Sequence, residues 1–143
     1  MLETLGLVAA LEGLREELAD TYGLEVEVQD DGLVKSLSPA LATFLFRAAR
    51  ELLINAAKHS GGKRASLSTR LQDRRLLIEA ADEGCGTEAP ERVLETAKGF
   101  GLRSIRERTL QLGGAFRVHR SPSGGWVVSL DIPLEPEGSG EPA

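Results

Sequence analysis

The sequence predicts a two-layer α+β sandwich: one mixed, mainly antiparallel sheet of five strands covered on one face by three helices. Two patterns and one size predict it. Three segments carry apolar residues every three or four positions, as amphipathic helices do, and five carry them at alternate positions, as half-buried strands do. The chain has 143 residues and no internal repeat, the size of one domain that buries roughly two thirds of its unfolded surface in one core.

Leu5, Val8, Leu11, Leu14 and Leu18 recur at helical spacing and Gly23 is a stop signal, which predicts the first helix. Leu24, Val26 and Val28 alternate with Glu25, Glu27 and Gln29 before the turn residues Asp30, Asp31 and Gly32, so a short strand follows. Ser38 offers a side-chain cap and Pro39 a preset first helical residue. From there Leu41, Phe44, Leu45, Ala48 and Leu52 carry the longest helix to His59. Beyond Gly61 and Gly62, a hairpin is expected from Ala65, Leu67 and Thr69, a polar turn at Gln72 and Asp73, and Leu76, Ile78 and Ala80. The turn residues Asp82 to Gly86 and a weak helix around Val93 and Leu94 then read as a mobile loop. A helix opens at Gly101, with Ile105 and Leu112 on its apolar side, and stops at Gly113 and Gly114. Phe116 and Val118, then Trp126, Val128, Leu130 and Ile132, alternate around a turn from Ser121 to Gly125 and describe a closing hairpin. Residues 1–134 are thus expected to form the domain. Residues 135–143, rich in Pro, Gly and Glu, lack the apolar content to pack and read as a disordered tail.

Composition narrows the function. With 41% hydrophobic and 27% charged residues the chain resembles a globular domain, and no apolar run approaches the roughly 20 residues that span a bilayer. No direct membrane contact is expected. The start of the chain does not resemble a secretory signal, and the lone Cys85 has no partner for an internal disulfide, so a cytoplasmic location fits. A net charge of −5 argues against nucleic-acid binding, which needs clustered Lys and Arg.

Three motifs carry chemistry. On the long helix, Glu51, Asn55 and His59 are spaced by four, with Lys58 three beyond Asn55, so they share one side. A carboxylate, an amide and two potential cations suit a hydrated Mg2+ on phosphates, the Asn55 oxygen as metal ligand and Lys58 neutralising phosphate charge. Alone, such a face is equally a solvated helix surface. Asp82, Gly84 and Gly86 directly follow a strand; the glycines permit a sharp turn and close approach of a planar ligand, and Asp82 can accept a hydrogen bond from the exocyclic amine of adenine, which guanine lacks there. Alone, this reads as an acidic turn with glycines at positive φ. Gly99, Phe100 and Gly101, between Lys98 and Arg103, put small residues and cations at a helix start, where backbone N–H groups attract phosphates. The order of the three motifs carries the specificity.

In that order they resemble the GHKL ATPase superfamily, which has the Bergerat ATP-binding fold, and within it the sensor histidine kinases of the nitrate-sensor (NarL/DesK-like) subgroup. RAARELLINAAKHS is similar to the N box, DEGCG to the first glycine box, and GFGLRSIRER followed by LGG to the second. The resemblance covers nearly the whole chain. It implies ATP and Mg2+ as ligands, with Asn55 at the metal, Lys58, His59 and Lys98 toward the phosphates, Asp82 on adenine, and Gly84, Gly86, Gly99, Gly101 and Leu102 along the nucleotide. Glu51 matches the position that is general base in the ATP-hydrolysing branches. It also implies partners: a dimerisation domain carrying the phospho-accepting histidine, and a response regulator reached through the parent protein. Neither His59 nor His119 resembles that acceptor, and the family's dimerisation helices, which carry it and form the homodimer, would lie upstream of Leu5, so the isolated domain is expected to be monomeric and inactive in autophosphorylation. The family's closing hairpin usually has a glycine and then a threonine near adenine; here Gly125 is followed by Trp126, which either points into the core or covers the pocket. Two other readings compete, an anti-sigma-factor serine kinase of the same fold and a degenerate nucleotide-binding module in which Trp126 blocks the base site.

Overall fold

The computed structural model describes residues 4–32, 37–59, 64–82, 101–120 and 125–134. In chain order these form α1 (Thr4–Tyr22), β1 (Glu25–Asp30), α2 (Pro39–His59), β2 (Arg64–Gln72), β3 (Arg75–Asp82), α3 (Leu102–Gln111), β4 (Ala115–Arg120) and β5 (Trp126–Pro133). The expected weak helix around Val93 and the expected tail at 135–143 lie outside the described residues.

The five strands make one sheet in the order β1-β2-β3-β5-β4. β1 and β2 run parallel, as strands joined through an intervening helix can, while β2–β3, β3–β5 and β4–β5 are antiparallel. β3 is therefore central. Its side chains alternate between the faces: Leu76, Ile78, Ala80 and Asp82 are buried beneath the helices. The opposite face is polar, with Arg75 Nε on Asp131 Oδ1 at 2.7 Å and Ser129 Oγ on Glu79 Oε2 at 3.1 Å. One apolar face needs one layer of helices, hence two layers.

The core lies between that sheet and the helices. Leu7, Leu11, Leu14 and Leu18 of α1 are buried at the i, i+4, i+7, i+11 spacing of one helix face. Leu7, absent from the expected stripe, belongs to it, and Val8 is only half-buried; the side chain of Leu5 lies outside the described residues. Helix α2 begins as Ser38 predicts: Leu41 N–H donates to Ser38 Oγ at 3.1 Å. Its second half is buried on several sides, with Leu52, Leu53, Ile54, Asn55 and Ala56 all enclosed, because α2 packs against α1, α3, β2 and β3 together. Between α1 and α2, Arg50 Nη2 meets Glu17 Oε2 at 2.7 Å. The hydrogen bond from Arg50 holds the Glu17 carboxyl below its ordinary range.

Helix α3 stops as its glycines predict. Gly113 has φ +82, its N–H reaches Leu110 O at 3.0 Å, and Gly114 N–H reaches Thr109 O at 2.9 Å, which together form a Schellman motif. The β2–β3 turn lies one residue later than expected, at Asp73 and Arg74. Both have positive φ, 54 and 63, as a two-residue hairpin of right-handed twist demands, although neither is glycine.

Two outcomes are expected from these features. Replacing Asp73-Arg74 by Asn-Gly should raise unfolding stability by about 1 kcal/mol, read by urea denaturation, because Gly occupies positive φ without strain. Because the folded state depresses the Glu17 pKa, its ion pair stabilises above the unfolded carboxylate range and the benefit fades as pH falls through the folded value. Glu17→Gln should lower the melting temperature slightly at pH 7, with the difference from wild type disappearing in acid.

Candidate functional site

The site begins with the end of β3. The alternation that buries Leu76, Ile78 and Ala80 carries on by one step and puts the Asp82 carboxylate at an inward-facing position, where it is 4% exposed. Burying a charged group costs several kcal/mol unless partners surround it, so the fold has built an environment for a carboxylate at the end of its central strand. Asp82 lines a small cavity with Leu52, Leu53 and Ala56 of α2, Ala80 and Ala81 of β3, and Trp126 and Val128 of β5. The cavity measures about 10 Å³, the space of one water.

Two neighbours, Gly125 just before β5 and Trp126 at its start, close this corner. Gly125 lies so near that a Cβ there would overlap the Asp82 carbonyl oxygen, with the Asp82 Oδ1 atom also within 2.9 Å of it. Trp126 is 4% exposed, which answers one open question: the ring is a core residue beside Asp82. Its Nε1–H is, among the described residues, the one buried side-chain polar atom without a hydrogen-bond partner, a state that costs about 1–3 kcal/mol.

Asn55 and Glu51 come from α2. Asn55 is 8% exposed and sits on the helix between Leu52 and Ala56, both of which line the Asp82 cavity. The expectation of a polar patch offset from the apolar stripe is thereby corrected for Asn55, which is inside the structure. Glu51, one turn earlier, is half-buried. Gly101 is the N-cap of α3 with extended backbone and no side-chain cap, and no acidic residue lies in the first turn. The first N–H groups of a helix have no intrahelical acceptors, so this end presents donors and a positive dipole. Leu102 is buried at 1%, so it anchors the helix start. The backbones of Lys58 and His59 belong to α2, but their side chains lie outside the described residues, as do Gly84, Gly86, Lys98 and Gly99.

The structure therefore brings the end of β3, the middle of α2 and the start of β5 into one corner. Of the expected site residues, Asp82 lines this corner and Asn55 lies on the helix that walls it; the sequence reading missed the closeness of Gly125 to Asp82 and the unpartnered indole. A signal existed for the first, since a glycine immediately before a strand marks a close backbone approach.

Residues 40–136 match the family model described as histidine kinase-, DNA gyrase B-, and HSP90-like ATPase. The sensor histidine kinase MctS of Rhizobium johnstonii is 28% identical over 130 residues, which cover 91% of this chain and 28% of that protein. The oxygen sensor histidine kinase NreB of Staphylococcus carnosus is 25% identical over 133 residues, 93% of this chain and 38% of that protein. The chain thus spans well under half the length of these curated relatives. Among solved structures, the ATP binding domain of PrrB from Mycobacterium tuberculosis superposes with a TM-score of 0.70 at 25% identity, covering 90% of this chain and 93% of that one. The described residues form a five-stranded mixed sheet under three helices, the fold of such domains. No helix among the described residues is long and apolar enough to cross a membrane.

The tight corner yields an expected outcome with an internal control. Gly125→Ala should destabilise the fold by about 1–3 kcal/mol, because the methyl must displace backbone. Gly13→Ala, in α1 with nothing within 4 Å of the added Cβ, should stabilise by about 1 kcal/mol. Chemical denaturation of the two variants against wild type reads both.

Proposed function

This chain belongs to the family of histidine kinase-, DNA gyrase B- and HSP90-like ATPases, and we propose that it is the ATP-binding catalytic domain of a two-component sensor histidine kinase. In this reading it holds Mg·ATP and presents the γ-phosphate to a histidine on a separate dimerisation domain of the parent protein, which then serves a response regulator. The burial of Asp82 at the end of the central strand carries the reading. A carboxylate in that setting accepts a hydrogen bond from the adenine amine and leaves the carbonyl of guanine without a donor.

The other residues follow from where their elements lie. Asn55, enclosed on α2, offers an amide oxygen on the same helix that walls the water-sized cavity beside Asp82, so base and phosphates would lie along one rigid element. The uncapped start of α3 at Gly101 and Leu102 offers N–H groups to phosphate oxygens. Lys58, His59 and Lys98 add positive charge near the phosphates, and Gly84, Gly86 and Gly99 admit the nucleotide backbone. Mg2+ keeps several water and phosphate ligands, so a single amide suits it better than a cage of carboxylates, and it would neutralise charge on the transferring phosphoryl group. Glu51, half-buried one turn before Asn55, matches a general-base position of the hydrolysing branches; in phosphotransfer to histidine its part is to hold the polar end of α2 in place. Catalysis is then mainly positioning, and the chain alone binds nucleotide as a monomer without phosphorylating itself. The relatives are sensor histidine kinases, which favours this branch over the serine-kinase alternative.

Calorimetric titration of Mg·ATP and Mg·GTP tests the reading. The wild type should prefer ATP, and Asp82→Asn should lose about 1.5–3 kcal/mol of ATP affinity and with it the preference, as expected for a hydrogen bond to a charged group. Equal binding of ATP and GTP by the wild type would exclude Asp82 as the base reader.

A further inference from the structure

The indole of Trp126 is a donor in the interior with nothing to donate to, and buried polar groups are rarely left so without a use. Its position suggests the use. In the β3–β5 register Ala81 pairs with Val127, and one further step sets Asp82 across from Trp126. Cross-strand neighbours on one face have Cβ atoms roughly 5 Å apart. Asp82 and Trp126 are both buried on the helix-facing side, and both line the same cavity of about 10 Å³. The remaining lining is apolar apart from backbone, with Leu52, Leu53, Ala56 and Val128. Gly125 presses the start of β5 against Asp82, so the backbones that carry this acceptor and donor are held in a fixed relation.

We propose that Trp126 is a base-recognition residue of the ATP site, its indole N–H donating to ring nitrogen N1 of adenine, directly or through the one water the cavity can hold. This rests on the ATP-site reading above. Adenine carries an acceptor at N1 beside a donor at its exocyclic amine, and Trp126 with Asp82 supplies the complementary donor and acceptor. Guanine has the reverse order at the same two positions, so it meets two mismatches rather than one. The tryptophan therefore strengthens adenine selectivity instead of blocking the pocket, and the indole N–H gains its missing partner only when nucleotide is bound.

The test compares Mg·ADP with Mg·1-deaza-ADP, in which N1 is replaced by C–H while the exocyclic amine is kept, on the wild type and on Trp126→Phe. The wild type should bind ADP about tenfold tighter than 1-deaza-ADP, the size of one buried hydrogen bond. Trp126→Phe should lose that tenfold for ADP and nothing further for 1-deaza-ADP, so the two changes are non-additive. The chain has a single tryptophan, so a second readout needs no variant: the fluorescence of the wild type should respond to ADP more strongly than to 1-deaza-ADP at saturation. Unchanged ADP affinity in Trp126→Phe, or an equal loss for both ligands, would overturn the proposal and leave the ATP site standing. Failure of the wild type to bind either nucleotide would sink the ATP site and this role together.

Discussion

A carboxylate at an inward-facing position of the central strand constrains everything around it. Asp82 takes the place that alternation along β3 would otherwise give to another apolar side chain, and charge does not enter a core unless the surroundings accommodate it. The surroundings here are unusually tight. Gly125 exists as glycine because nothing larger fits against the Asp82 carbonyl, and the following residue, Trp126, closes the apolar side with its ring. The corner is pinned by backbone contact rather than by long side chains, so its geometry varies little.

The helix layer completes the corner through α2. That helix is enclosed by α1, α3 and two strands, and burial of its leucines is worth roughly 1.5–3 kcal/mol each, so it cannot shift without loss of the core. Asn55 and the cavity-lining Leu52 and Ala56 occur within five positions of it. The amide proposed to hold the metal and the wall of the cavity beside Asp82 are thus held on one rigid body. Arg50 ties the same helix to Glu17 of α1 at 2.7 Å, an exposed pair that sets orientation more than stability.

Local patterns made most of this fold legible. Period-two and period-3.6 runs, the Ser38 cap and the Gly113 stop are decided within a few residues of chain, and each appears in the structure where the pattern puts it. What the sequence hid depends on contacts between distant segments. Leu7 shares the buried face of α1 with Leu11, Leu14 and Leu18, while Val8 is half-buried. The β2–β3 turn moved by one residue because the register with β3 outweighs the reluctance of Asp73 and Arg74 to adopt positive φ. The inward position of Asp82 follows from the alternation of β3, whereas the enclosure of Asn55, expected on a polar patch beside the apolar stripe, comes from the elements that cover α2 on several sides. Whether Trp126 entered the core or capped the pocket was undecidable from an alternating pattern, which gives the face of a strand and not the neighbours across it.

A crystal structure of this domain with Mg·ADP tests the central claim most directly. The adenine amine should lie within hydrogen-bond distance of the Asp82 carboxylate, and the phosphates should run along α2 toward Asn55. A nucleotide bound elsewhere, or an Asp82 carboxylate turned away from the base, would contradict it.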